Sequence, residues 1–175
     1  LSAALDAASR TSDLIITSGG VSVGDFDHVT SVLDQQGSVS FWKVAIKPGK
    51  PLAFGTIGAT PLLGLPGNPV SAFVCFELFA LPALDALRGQ APRLPMSMTA
   101  ELTTRVRCNP TREQFLRGRL RRRGDDWCVD LLPHQGSGQL SSLVQVGCLV
   151  QVPIGSSTLE AGSKVACFPL PTRHE

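Results

Sequence analysis

Pro61-Leu62-Leu63-Gly64-Leu65-Pro66-Gly67-Asn68-Pro69-Val70-Ser71 is the stretch on which the fold turns. Its first five residues form an apolar run of strand length, suited to a buried strand. The next six convert that strand into a helix. Asn68 is a favoured N-cap residue, and Pro69 fits the first helical position, where no N–H donor is needed. From Pro69 to about Arg88 the apolar spacing predicts a helix, with Phe73, Phe76, Leu81 and Leu84 among its apolar positions. Gly89 is placed to end it, and Pro82 predicts a kink. The amino end of a helix carries free N–H groups and partial positive charge. The loop is therefore either a well-made cap or an anion site, with the Ser71 hydroxyl in its first turn.

A second unit of the same design lies upstream. Asp13-Leu14-Ile15-Ile16-Thr17 reads as a buried strand that runs into Ser18-Gly19-Gly20-Val21-Ser22-Val23-Gly24-Asp25-Phe26-Asp27, and a helix is expected over about His28–Gln36. Strand, glycine-rich loop and helix is the arrangement by which α/β proteins place ligands at the carboxyl ends of their strands. Asp27 has two readings, a helix N-cap or a carboxylate facing a ligand. Between the two loops, Phe41-Trp42-Lys43-Val44-Ala45-Ile46-Lys47 alternates like a strand, with Trp42, Val44 and Ile46 on one face and Lys43, Ala45 and Lys47 on the other. On an ideal strand Lys43 and Lys47 would lie about 13 Å apart. Lys47-Pro48-Gly49-Lys50-Pro51 then forms a stiff turn that brings Lys50 back. The lysines are either solvated or form a row for phosphate or another oxyanion.

After Gly89-Gln90-Ala91-Pro92-Arg93-Leu94-Pro95, a polar linker, the pattern changes. Residues 1–90 alternate strands with helices, and residues 91–175 carry short strands, expected at 99–106, 114–122, 127–132, 147–152 and 163–168. Arg123-Gly124-Asp125-Asp126 reads as a hairpin turn and Glu160-Ala161-Gly162-Ser163 as another. Five short strands in so few residues indicate a small barrel or sandwich. Arg117, Arg119 and Arg121 share one strand face, but no aromatic residues interleave to stack bases, so a solvated hairpin is favoured over a nucleic-acid surface.

Composition narrows the classes further. The net charge of +2, from 16 basic and 14 acidic residues, does not call for a nucleic-acid partner. No unbroken apolar run approaches the roughly 20 residues of a membrane span, so no membrane partner is expected. Cys75, Cys108, Cys128, Cys148 and Cys167 are scattered without C-x-x-C spacing, which favours buried thiols in a reducing compartment, and the cytoplasm is the expected location. The chain opens on an apolar helical stripe, Leu1, Ala4, Leu5 and Ala8, with no strand before it, and is read as a C-terminal fragment.

The glycine-rich loop, the run from Phe41 to Pro51, the run from Gly64 to Ser71, Phe115-x-Arg117-Gly118 and His134-Gln135-Gly136-Ser137 together resemble the molybdopterin molybdenumtransferase family, which includes the E domain of gephyrin. The resemblance implies an incomplete three-layer α/β domain of the molybdopterin-binding type, followed by a small all-β, barrel-like domain. It implies insertion of molybdate into adenylated molybdopterin with release of AMP, the last step of molybdenum cofactor synthesis. It also implies a homodimer, and Mg2+ held by Asp27 and substrate phosphate oxygens. Lys43 and Lys47, with Asp27, would act on the reacting phosphate. Ser22, Lys50 and Ser71 would bind substrate or molybdate, with Pro66, Asn68 and Pro69 shaping the loop, and Arg117 and Ser137 contributing from the second domain. The rival readings are a molybdopterin adenylyltransferase, which shares the Ser22/Asp27 loop but calls for no second domain, and a non-catalytic scaffold or inactive fragment.

Overall fold

The computed structural model describes residues 1–21, 29, 32–33, 37–91 and 96–170. They fall into two compact units. One comprises Leu1–Val44 and Gly49–Leu94, the other Ala45–Pro48 and Pro95–Glu175.

The first unit opens with α1 (Ser2–Ser9), whose buried residue is Leu5. Next come β1 (Ile15–Ser18) and β2 (Gly37–Lys43) and, beyond the excursion at residues 45–48, β4 (Pro51–Ile57) and β5 (Thr60–Leu65). The sheet order is β1-β5-β4-β2, with β1 parallel to β5 and the other pairs antiparallel. One face is closed by Leu5, Val21, Val29 and Leu33 against Ile15, Ala53, Ile57 and Leu62. Gly64 is required by that packing, since a Cβ there would stand 2.5 Å from Val21 Cγ1 and 3.2 Å from Ala53 Cβ.

A helix follows β5 as α2 (Pro69–Cys75), a π-helical turn over Phe76–Ala80, and α3 (Leu81–Leu87). The kink expected at Pro82 takes the form of that wider turn. Proline offers no N–H to the carbonyl four residues back and its ring presses on that carbonyl, so a looser turn just before it relieves both. Pro69–Leu87 is long and apolar enough to cross a membrane by length and composition alone. Glu77 and the buried Asp85 both lie within it.

The strand expected over residues 41–47 is not one strand. β2 ends at Lys43, after two irregularities in its pairing with β4. The chain then enters the second unit, where β3 (Ile46–Lys47) lies parallel to β8 (Glu113–Arg123), and the Glu113 N–H donates to the Ala45 carbonyl at 2.9 Å. The Lys47–Pro48 peptide is cis. The Val44 N–H donates to the Lys50 carbonyl at 3.1 Å, closing the loop where the chain re-enters the first unit. Lys43 and Lys47 therefore belong to different sheets, and the expected lysine face does not exist.

The second unit is a barrel. Besides β8 it contains β6 (Met98–Leu102), β9 (Asp126–Leu131), β10 (Cys148–Val152) and β12 (Lys164–Pro169), closed in the order β8-β10-β12-β6-β9-β8. A small ribbon, β7 (Val106–Arg107) with β11 (Thr158–Leu159), is separate. Inward-facing residues of all five barrel strands, among them Ala100, Leu102, Leu116, Val129, Val150, Val165 and Cys167, make the core. β8 serves two neighbours, pairing with β10 over 114–118 and with β9 over 118–123. Gly118 stands where the pairings meet, and a Cβ there would lie 2.8 Å from Val129 Cγ2, 3.1 Å from Val150 Cγ2 and 3.2 Å from the Asp130 carbonyl.

Two tests follow from this packing. Gly118→Ala should lower unfolding stability by about 1–3 kcal/mol through overpacking, measured by urea denaturation. A change within about 0.5 kcal/mol would show that the barrel yields at that point. Burial pushes the Glu77 carboxyl above its ordinary pKa. Such a group binds its proton more tightly folded than unfolded, so its contribution is favourable below the unfolded pKa and is lost as pH rises through the folded one. Glu77→Gln should therefore reduce the loss of stability as pH rises above the ordinary carboxylate range, and an unchanged pH dependence would overturn the assignment.

Candidate functional site

In the first unit the parallel register Ile15↔Leu62 through Ser18↔Leu65 brings the carboxyl ends of β1 and β5 to one edge. The Gly19 N–H extends the ladder by donating to the Leu65 carbonyl at 2.9 Å. Gly19 and Gly20 turn away with φ of 88° and 71°, left-handed backbone that side chains disfavour. A Cβ on Gly67 would lie 3.3 Å from Gly19 Cα, so the two loops touch backbone to backbone. Both loops are thus held where ligands bind in open α/β sheets.

Pro66, Asn68, Pro69 and Ser71 all lie in the loop and first turn that follow β5. Asn68 is the N-cap residue, with extended backbone, and its carbonyl accepts the Ala72 N–H at 2.8 Å, but its side chain does not make the expected capping bond. Pro66 and Ser71 are buried. Ser22 and Asp27 lie outside the described residues, as does most of the helix expected at 28–36. Val29, Val32 and Leu33 are helical, and the Val29 N–H donates to the Gly20 carbonyl at 3.3 Å. The Thr17 hydroxyl, at the end of β1, is buried without a hydrogen-bond partner among the described residues, and the sequence reading did not single it out.

Lys43, Lys47 and Lys50 are exposed. Lys47 belongs to the second unit, paired with Gln114 in the β3–β8 register, and Lys50 to the first. The turn before Lys50 is anchored from α2, where the buried Cys75 thiol donates to the Gly49 carbonyl at 3.6 Å. Burial pushes that thiol up to about 12.

The second unit brings Arg117 next to the loop that carries Ser137. Arg117 is 0% exposed. Its Nη2 donates to the His134 carbonyl at 2.9 Å and to the Gly136 carbonyl at 3.1 Å. Nε and Nη1 have no partner among the described residues. Burial pulls the guanidinium below its ordinary pKa, because loss of solvent disfavours the charged form. Gln135, from the same loop, spans to the backbone of β8. Its Oε1 accepts the Arg117 N–H at 2.9 Å, and its Nε2 donates to the Arg117 and Leu132 carbonyls, each at 2.8 Å. The motif His134-Gln135-Gly136-Ser137 was legible in sequence, but nothing in it says which backbone the Gln135 side chain meets.

The other arginines of β8 are engaged within the unit. Arg119 Nε donates to the Gln145 carbonyl at 3.0 Å, Arg121 pairs with Asp130 at 2.7 Å, Arg123 pairs with Glu101, and Arg122 lies 5.6 Å from the centre of the Trp127 ring. Among the described residues no three His, Cys, Asp or Glu side chains converge as a metal site. The carboxylate expected to hold Mg2+, Asp27, is not among those residues.

Comparison with known proteins matches residues 1–86 to the family described as probable molybdopterin binding domain, and residues 99–170 to the MoeA C-terminal region (domain IV). The chain is 39% identical over 166 residues to a molybdopterin molybdenumtransferase of Haemophilus influenzae, covering 93% of this chain and 41% of that protein. It is 36% identical over 182 residues to gephyrin of Dictyostelium discoideum, covering 90% of this chain and 25% of that protein. Among solved structures, the molybdopterin biosynthesis moea protein of Pyrococcus horikosii superposes with a TM-score of 0.75 at 30% identity, over 96% of this chain and 40% of that one. The chain thus spans well under half of the length of each of these relatives.

The anchoring of the Gly49 turn has a chemical readout. Iodoacetamide at about pH 8 should leave Cys75 unmodified in the folded protein and alkylate it once urea unfolds the chain, as mass spectrometry of the digest would show. Alkylation of Cys75 in the native protein at the rate of a free thiol would show that the turn is not held as described.

Proposed function

We propose, for a chain that belongs to the family of the molybdopterin molybdenumtransferases and gephyrins, that it takes part in inserting molybdate into adenylated molybdopterin, with cleavage of the phosphoanhydride and release of AMP. The observation that carries this reading is the presence, in one chain and in this order, of matches to a molybdopterin binding domain and to the C-terminal domain of the MoeA type. An adenylyltransferase needs the first of these alone. In this reading residues 1–90 form the pterin-binding part and residues 91–175 the accompanying β part.

Both reactants are anions, so the protein's work is to offset charge and to orient. The glycine loops after β1 and β5 let backbone approach a phosphate closely, with Ser22 and Ser71 as hydroxyl donors and Pro66, Asn68 and Pro69 fixing the loop shape. Lys43 and Lys47 would act on the reacting phosphate, and Lys50 would bind substrate or molybdate. Arg117 supports a place for an oxyanion most directly, since it offers buried N–H groups that no acidic side chain neutralises among the described residues. Ser137 lies beside the Gly136 carbonyl that holds it. Asp27 would hold Mg2+, which when bound supplies charge neutralisation at the substrate phosphates. A homodimer in the cytoplasm completes the proposal.

The test is AMP release from adenylated molybdopterin, followed chromatographically with Mg2+ present. Release that depends on molybdate supports transfer. Release that ignores molybdate overturns it, formation of adenylated pterin from ATP would favour the adenylyltransferase, and no turnover would favour a non-catalytic scaffold or an inactive fragment. Asp27→Ala should remove metal-dependent AMP release while leaving the melting temperature near that of the parent. A loss of about 1 kcal/mol in stability with release intact would instead make Asp27 a helix cap.

A further inference from the structure

We infer that Gln135 is a positioning residue for Arg117, its carboxamide holding the 134–136 loop on β8 so that the loop's carbonyls orient the guanidinium toward an oxyanion. The inference rests on the proposed reading of Arg117 as an oxyanion-binding group. Among the described residues, the backbone hydrogen bonds between β8 and the chain leaving β9 stop at Leu132, whose N–H donates to the Arg117 carbonyl at 2.9 Å. Beyond it the Gln135 side chain takes over. Its Oε1 accepts the Arg117 N–H and its two Nε2 hydrogens reach the Arg117 and Leu132 carbonyls, so the side chain does for the loop what one more residue of strand would do.

The residues on either side of Gln135 supply the two carbonyls, of His134 and Gly136, that together occupy both hydrogens of Arg117 Nη2. Two acceptors on one nitrogen leave the guanidinium plane little freedom, and the buried N–H groups of Nε and Nη1 have no partner among the described residues. A fully buried cation held by neutral carbonyls keeps its charge uncompensated, which favours anion binding only while the carbonyls stay in place. If the arc is released, the loop carbonyls can turn to meet Nε and Nη1, and the donors meant for a ligand are consumed internally. Gln135 acts on that arc and not on the ligand.

The experiment measures molybdate binding to the 175-residue chain by calorimetry, well below its melting temperature, for the parent and for the Gln135→Ala, Gln135→Glu, Arg117→Met and Gln135→Ala/Arg117→Met variants. Gln135→Ala should weaken binding at least tenfold, and Gln135→Glu should abolish it, because a carboxylate would face two carbonyl oxygens and place an internal counter-ion beside the guanidinium. In the Arg117→Met background, Gln135→Ala should change affinity no further, a coupling that a purely structural role would not produce. Thermal melts separate folding from affinity: a lower melting temperature with unchanged affinity overturns the positioning role. So does full binding by Gln135→Ala when Arg117→Met has lost it, and in that case the oxyanion reading survives. Binding by Arg117→Met equal to the parent, or no saturable binding by the parent, overturns the oxyanion reading and this inference with it.

Discussion

The parallel pairing of β1 with β5 is the constraint on which the first unit depends. Parallel strands cannot be joined to each other by a tight turn, and the parallel register brings both carboxyl ends to the same edge. The close approach of the loops that leave that edge, Gly19 against Gly67, comes from two residues without side chains, and Gly64 repeats the device one layer deeper under Val21. A Cβ at Gly64 would press on Val21 and one at Gly67 on Gly19 Cα, while Gly19 is required by its left-handed φ of 88°, so the fold demands these glycines before any ligand is considered.

The barrel solves a different problem. A barrel of five strands has an interior only wide enough for side chains, and its core is filled by small aliphatic residues and thiols. Chemistry must therefore sit on the outside, where a cation is usually drowned in water. Arg117 escapes that because the 134–136 loop covers it, and the loop stays down because Gln135 bonds to the strand backbone. The guanidinium is thereby moved from a setting in which a charge pair at 4 Å is worth about 1 kcal/mol to one in which it is worth about 4 kcal/mol.

Much of the architecture was legible in sequence because it follows from short-range rules. Apolar runs ending in glycine and proline marked β1 and β5, and Gly124 marked the turn between β8 and β9, whose observed limits lie within a few residues of those expected, whereas the strand expected at 99–106 is two, β6 and β7, in different sheets, and β11 was not expected. The failures have physical causes. Residues 41–47 alternate perfectly, yet alternation describes a half-buried strand without saying which sheet buries it, and the chain changes sheets at Val44. Pro82 announced an irregular helix, but the period of the turn before it depends on which carbonyl the ring displaces. For the candidate site, the residues of the β5–α2 loop could be read together because they are adjacent in sequence. The bond between Gln135 and Arg117 could not, because it joins two motifs 18 residues apart, and neither motif says that its members meet the other.

The lysines and the arginine of the proposed site do not carry equal weight. Lys43, Lys47 and Lys50 are exposed, so each meets an anion across water, where an ion pair gains little over its hydrated parts and is screened by salt. Arg117 has already lost its hydration in folding, at a cost that neutral carbonyls offset only in part. An anion that reaches it regains that lost solvation as well as the Coulomb attraction, whereas one beside a lysine must give up water on both sides. Affinity in the proposed site should therefore be governed by the buried guanidinium and the loop that holds it, and the lysines should act chiefly by drawing anions toward the surface.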